Sequence, residues 1–507
     1  MEYYLGLDMG TTNIKAALFS ADGTLSAYHS ELTPIVHPRE GFSEFNPMEL
    51  WRTASRCIRG ITAAIPAQYI VSIGISSLAE SGLLAQEDGT PLSNIIAWYD
   101  TRAKKEIKQL LERVEYNRVY AITGQIPSDK YGICKLMWLK NNEQEAYAKA
   151  KHWLSVEDWI IFCLTGEFAT DYSIASRTMA FDINNRAWSK EILQVADIPS
   201  SLFSPVYPGG TCIGKVTEAA AQETGLLNGT CVSTGGHDHA CASIAVNIFE
   251  EGVVLDSMGT AEVSMIAVPE PVLNEETLRR YYSVYPHCGK KLYRVLTSNQ
   301  CCGASIEWYL NTFGKDITEE AGRLGISKYD CMLDKIKNDF SGVGKLYFLP
   351  FLRGTIERSN MRGVFFGVDD SHRQGNFIQA IIEGICYELR NQIDGYSATF
   401  GRIYNKLRVV GGLSKSDTIM RQKSLIQQSL VEVPGCNEAA CFGAALLGAI
   451  GAKKLKFEDL HAMYHAGKQY HFEDALTSRS DYQNYLKIRM SIKDIYEAMD
   501  TGQEEKN

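Results

Sequence analysis

The chain has 507 residues, 45% of them hydrophobic and 22% charged, and a formal net charge of −9. That length exceeds what one hydrophobic core ordinarily supports, so two large domains are expected. The acidic balance argues against a nucleic-acid-binding surface, and no run of 18 or more apolar residues is present to suggest a membrane partner.

The opening MEYYLGLD lacks the basic and apolar regions of a signal peptide and enters a strand directly, which points to a cytoplasmic protein. Cysteines number thirteen, an odd count, and Cys57, Cys163 and Cys386 sit in apolar runs while Cys301 and Cys302 are adjacent. Reduced, buried thiols are therefore expected rather than a disulfide framework.

In chain order, Tyr3–Asp8, Ile14–Phe19 and Leu25–Glu31 read as strands, the last two joined by the hairpin signal Ala-Asp-Gly-Thr. Met48–Ile65 has helical apolar spacing, Ile70–Ser76 is a buried strand, and a second hairpin at Glu87–Thr90 leads into Ile95–Trp98. Two early hairpins among helices indicate α/β domains with mixed sheets rather than an all-parallel one. A short apolar helix is expected over Ala240–Glu250, and a domain boundary beside it divides the chain into 1–246 and 247–507.

Immediately after that boundary the opening pattern returns. LGLDMGTTNIKAALF (Leu5–Phe19) and VVLDSMGTAEVSMIAV (Val253–Val268) each end a buried strand in aspartate, Asp8 or Asp256, and bend at Gly10-Thr11 or Gly259-Thr260. Glycine lets the backbone approach a ligand, and the freed N–H groups with threonine hydroxyls suit phosphate oxygens. Two such bends predict a duplicated clamp on one nucleotide. The second half continues with a helix over Ser305–Asn311, a strand over Leu346–Phe351, a helix over Phe377–Phe400, and a strand over Lys406–Val410 that turns at Gly411-Gly412. A small-residue helix, Glu438–Ile450, is expected to pack closely, and the polar tail Thr501–Asn507 to fray.

The strongest catalytic candidate is Asp238, in Ser233-Thr-Gly-Gly-His-Asp-His239, where two glycines bend a strand into a helix. A carboxylate there can accept a hydroxyl proton, the base role in phosphoryl transfer; the competing reading is a simple helix N-cap. The phosphate-like bends favour the base. His237, His239 and Cys241 diverge on a short stretch without zinc spacing, so His239 is read as a substrate contact. Gly209–Lys215 (GGTCIGK) imitates a P-loop, but Val216 stands where a magnesium-binding hydroxyl is needed, and an ordinary turn is expected. Glu80, Asp100 and Arg102 beside Trp98 suit a polyhydroxylated ligand, the ring covering an apolar sugar face while the polar groups bond hydroxyls. The alternative is a surface ion pair. Glu80, by charge alone, favours neutral ligands over sugar acids.

These residues in this order resemble the FGGY carbohydrate kinases. The likeness spans nearly the whole chain, through DMGTTNIK, TDYSIASRTMAFDI (Thr170–Ile183), GGHDHA, SMGT, GVFFGVDDSHRQGNFIQAIIE (Gly363–Glu383), RVVGGLSKSD and EAACFGAALLGA. It implies two actin-like, ribonuclease-H-like domains around a central cleft, ATP with Mg2+, and γ-phosphoryl transfer to a sugar or polyol hydroxyl. By the same resemblance Asp238 is the base, Asp8 approaches the metal, and Thr11, Thr12, Asn13 and Lys15 form the first phosphate loop. Thr260 belongs to the second loop, Gly303, Glu307, Gly412 and Ser416 to the ATP side, and Ala79 with Glu80 to the substrate side. Homodimers are plausible by analogy. Ala79-Glu80 stands where glycerol kinases carry Arg-Glu and xylulokinases Met-His, so the resemblance does not name the sugar. The alternative is an actin- or Hsp70-type nucleotide switch without a sugar substrate.

Overall fold

Tyr3–Met9 (β1) and Asn13–Ser20 (β2) pair antiparallel with Asp8 opposite Lys15, and Leu25–Leu32 (β3) extends the meander. Ile70–Ser77 (β4) lies parallel to β1, Cys231–His237 (β6) parallel to β4, and Cys212–Lys215 (β5) antiparallel at the edge, giving the order β5-β6-β4-β1-β2-β3. The P-loop imitation is thus a turn at Gly209-Gly210 that runs into edge strand β5. The computed structural model describes residues 2–289, 291–339, 345–436, 438–472 and 477–504.

The connection from β3 to β4 is the helix Pro47–Ala64. Asn46 accepts from the N–H groups of Met48 and Glu49, and Pro47 occupies the first turn, where its missing N–H costs nothing. Leu50, Trp51, Ala54, Ile58 and Ile61 recur at helical spacing and are buried, joining Leu5, Leu7, Ile73 and Ile75 in one core.

The helix Ala439–Gly451 packs across β1, β4 and β6. Contact there is backbone to backbone: a Cβ on Gly6 would overlap the Cys441 carbonyl, and one on Gly74 the Ala444 carbonyl. The expectation of a close-packing small-residue helix holds, and its partner is the first sheet.

The chain forms two compact units, one of Met1–Phe249, Ala267–Val295 and Cys436–His465, the other of Glu250–Ile266, Leu296–Gly435 and Ala466–Asn507. A single division between 246 and 247 does not describe them. The units interleave along the chain because Ala267–Val295 and the segment carrying the helix Ala439–Gly451 both return to the first unit.

In the second unit Val253–Met258 (β7) and Glu262–Val268 (β8) form an antiparallel hairpin with Asp256 opposite Ser264. Lys406–Val410 (β9) lies parallel to β7, Leu430–Pro434 (β10) parallel to β9, and Ala466–Tyr470 (β11) antiparallel to β10. Both units therefore build an antiparallel hairpin onto a parallel strand, in agreement with the expected α/β, actin-like architecture with mixed sheets.

The apolar helix near the boundary is Asp238–Ala245, and the C-terminal helix Thr477–Glu504 continues through Thr501 rather than fraying there. Residues 505–507 of the expected tail lie outside the described residues. All thirteen cysteines carry free thiols, most of them buried. No helix among the described residues is long and apolar enough to cross a membrane.

Candidate active site

β6 ends at His237 and a helix starts at Asp238, so Asp238 is the first helical residue rather than the cap. His237 Nε2 lies 3.0 Å from Asp238 Oδ1, and the His239 N–H donates to the same oxygen. The Asp238 side chain is 34% exposed, open to a ligand. Desolvation works against its ionisation, but His237 and His239 outweigh it and hold the carboxyl well below its ordinary range. Burial depresses His237 itself. His239, half-buried, meets the His237 ring edge-to-face at 5.3 Å.

The strand end carrying Asp238 is braced from behind. Glu157 accepts the Gly235 N–H at 2.8 Å, and Ser173 Oγ accepts the His237 N–H at 2.9 Å while donating to Asp171 at 2.8 Å. Burial raises both Glu157 and Asp171, the latter to about 6.

Asp8 is buried on β1 and accepts from Ser76 Oγ at 2.8 Å. Burial first, then the charge of Asp238, pushes it up to about 7. Two carboxylates that repel each other in this way form a hard-oxygen donor pair suited to a divalent cation. The bend beyond Asp8 is fixed by backbone bonds from Gly10 N–H to Asn13 and from Thr33 N–H to Thr12, and Trp98 Nε1 donates to Thr11 Oγ1 at 3.0 Å. Thr12 is exposed, whereas Lys15 Nζ is paired with Glu438 at 2.9 Å.

On the substrate side, Glu80 is buried with a positive φ of 58° and is ion-paired with Arg177. Desolvation opposes its ionisation, but the Arg177 charge, before any other, keeps Glu80 below its ordinary value. Lys135 Nζ donates to the Glu80 carbonyl at 2.7 Å, and Gln125 Oε1 receives both Arg177 Nη1 and the Tyr131 hydroxyl. Ala79 is buried beside Glu80, and Trp98 remains 39% exposed.

Asp100 and Arg102 are a different matter. Asp100 accepts from the Ser43 N–H at 2.7 Å and from Arg102, which also reaches Glu44 and lies over the rings of Phe42 and Trp138. Both side chains are nearly inaccessible. The hairpin carries them against the Ser43–Glu44 segment, where they satisfy each other as an internal brace instead of facing a sugar. Arg177, Gln125, Lys130 and Lys135 escaped the sequence reading. Arg177 had one signal, the lone cation in the run TDYSIASRTMAF.

In the second unit, Thr260, Gly303, Glu307, Gly412 and Ser416 line one cavity of about 860 Å³ with Trp308, Tyr329, Arg353 and Lys415. The Gly303 and Ala304 N–H groups donate to the carbonyls of Gly259 and Thr260, docking the bend onto the start of the helix Gly303–Phe313. Gly411 closes the other side with φ of 104°, its α-carbon so near the Met258 carbonyl that a Cβ would overlap it. Glu307 is held by Lys328 at 2.8 Å and by Tyr329, and Ser416 caps the helix Asp417–Gln427. Asp256, the counterpart of Asp8, is buried against Lys423, which also bonds Glu262. Its charge is already matched from within the protein.

A gluconokinase from Bacillus subtilis (strain 168) is 26% identical to this chain over 499 residues, covering 98% of the chain and 96% of that protein. A xylulose kinase from Lactococcus lactis subsp. lactis (strain IL1403) is 27% identical over 504 residues, covering 98% and 97%. The crystal structure of xylulose kinase from Rhodospirillum rubrum aligns with a TM-score of 0.88 at 22% identity, over 98% of this chain and 100% of that one. Residues 3–245 match the N-terminal domain and residues 255–452 the C-terminal domain of one family. With both halves matched in order, this chain belongs to the FGGY family of carbohydrate kinases.

Proposed function

We propose that the protein transfers the γ-phosphoryl group of ATP to a hydroxyl of a sugar or polyol, with Asp238 as general base. The observation that carries this reading is an ionised, ligand-accessible carboxylate at a strand-to-helix junction, kept ready by His237 and the His239 N–H. Asp238 accepts the proton of the attacking hydroxyl as the new O–P bond forms and the bond to ADP breaks. The cavity lined by Thr260, Gly303, Glu307, Gly412 and Ser416 is assigned to the nucleotide, with Arg353 and Lys415 as cations for its phosphates. Thr11, Thr12 and Asn13 at the first bend are assigned to the transferred phosphate, and Lys15 joins them on exchanging Glu438 for phosphate.

The oxygen donors at Asp8 fit Mg2+, and burial beside Asp238 gives that carboxyl a reason to receive a cation. When bound, the ion supplies neutralising charge for the phosphates. Glu80, Ala79, Trp98 and His239 are assigned to the acceptor. Free thiols throughout suit a reducing cytoplasm.

The test is ADP release, followed by a coupled assay, against a panel of ketoses, aldoses, polyols and sugar acids. Acceptor-dependent ADP formation with a phosphorylated product is expected. ATP hydrolysis indifferent to every acceptor would favour a nucleotide switch instead.

A further inference from the structure

We propose that the acceptor substrate carries a carboxylate and that Lys130 and Arg177 hold it, a refinement that rests on the kinase reading above. Around the Glu80–Arg177 pair, several groups have protons to give and no acceptor to receive them. Arg177 Nε is buried without a partner among the described residues. So is Gln125 Nε2, whose identity as the donor end is fixed because Oε1 already receives Arg177 Nη1 and the Tyr131 hydroxyl. The Tyr285 hydroxyl is likewise buried and unpartnered.

These groups share one neighbourhood. The Arg177 guanidinium lies 5.2 Å from the Tyr131 ring and 5.4 Å from the Tyr285 ring, and Lys130 Nζ lies 5.2 Å from the Tyr131 ring. His237, the hydrogen-bond partner of Asp238, interacts electrostatically with both Glu80 and Arg177, which ties the cluster to the base. Arg294, 4.3 Å from the Tyr285 ring, adds three unpartnered nitrogens, and against these donors the unmet acceptors are His237 Nδ1, Glu157 Oε2 and the oxygen of Tyr285.

That imbalance selects ligand chemistry. A polyol hydroxyl brings a proton for every lone pair it offers, whereas a carboxylate brings two oxygens with about four acceptor sites and no proton. Charge points the same way. Glu80 alone would repel an acid, but its charge is matched by Arg177, and Lys135 is spent on the Glu80 carbonyl. Lys130 has no hydrogen bond or ion pair among the described residues. Burial, followed by the Arg177 charge, lowers it to about 8, so it stays largely protonated at neutral pH. Glu80 and its sequence neighbour Asp129 act on it in the opposite sense, but neither carboxylate is within ion-pair distance of Lys130, and Asp129 accepts from Ser128 Oγ. An aldonate, an open-chain sugar acid, satisfies the donors and the unmatched cation together.

The test compares four- to six-carbon aldonates with alditols and ketoses of the same length, using the full chain with ATP and Mg2+. The kcat/KM of the best aldonate should exceed that of its neutral counterparts by about 10- to 100-fold, the range of a charge-assisted hydrogen bond. Lys130→Met should cut that preference about tenfold and Lys130→Arg should keep most of it. Calorimetry of aldonate binding without nucleotide should show the same ranking of variants. Turnover of alditols or ketoses in preference to every acid overturns the carboxylate subsite while leaving the kinase intact, as does a preference that survives Lys130→Met. Aldonate binding that depends on Lys130 without ADP release from any acceptor would instead support the subsite and sink the transfer reaction.

Discussion

Replacing Lys423 with methionine should unlock the hairpin that carries Gly259-Thr260. Lys423 reaches from the helix Asp417–Gln427 to Asp256 on β7 and, at 2.8 Å, to Glu262 on β8, and all three side chains are fully buried. Burial already pushes Glu262 up to about 8, so the native cluster is close to neutral only because the lysine matches one carboxylate. Methionine fills the volume but leaves two carboxyls facing each other. Breaking a buried pair from one side costs about 3–5 kcal/mol. The carboxyls can relieve their repulsion only by holding an extra proton in the folded state, which the unfolded chain releases near its ordinary value. The deficit should therefore widen as pH rises, by about 1.4 kcal/mol per pH unit for one proton. Urea unfolding from pH 5 to pH 8 measures the deficit, and hydrogen exchange of the Val253–Met258 amides assigns it to the second unit. In steady-state assays the KM for ATP should rise more than that for the acceptor. A deficit below about 1 kcal/mol, or one that does not change with pH, would refute the account of the triad.

Asp238→Asn should retain ATP binding but lower turnover by roughly 10²–10⁴-fold; near-normal turnover would remove the residue from the base role. Ser173→Ala deletes the oxygen that receives the His237 N–H, and kcat should fall about 5- to 10-fold with both KM values nearly kept, as suits one lost hydrogen bond behind the base. A pure KM effect would speak against that positioning role. Burial raises Asp8 and Asp158 to about 7, Asp171 to about 6 and Glu262 to about 8, and also raises Glu157. Each folded form keeps a proton that the unfolded chain has lost, so the stability these groups contribute fades as pH rises through their folded values. His237 and His152, both depressed by burial, oppose this, and Lys135, lowered to about 7, opposes it only above that pH. The melting temperature of the metal-free protein should fall from pH 5 to pH 7; a steady rise would contradict the assignment.

Local patterns made much of the framework legible. The two Gly-Thr hairpins appear as read because a buried apolar run ending in aspartate and a glycine bend are encoded within a dozen residues. The helix Ala439–Gly451 was also visible as a close-packing element, yet its place in the first unit was not, since no periodicity records a partner more than 400 residues away. The site divides in the same manner. Asp238 announces itself through its flanking glycines and histidines, whereas Asp100 and Arg102 looked available only because Ser43 and Glu44, the groups that occupy them, are distant in sequence. Lys130 and Gln125 stand in no motif at all, and their importance arises from what burial leaves unmet.

The route of the chain also bears on its biosynthesis. Cys441 and Ala444 seat against Gly6 and Gly74, which leave the ribosome several hundred residues ahead of them. At about 5–20 residues per second, translation must run for some tens of seconds before those glycines meet their cover. Until then the nascent N-terminal half presents a bare apolar seam, a period in which chaperone occupancy should be greatest, and a product truncated before residue 439 would keep that seam permanently.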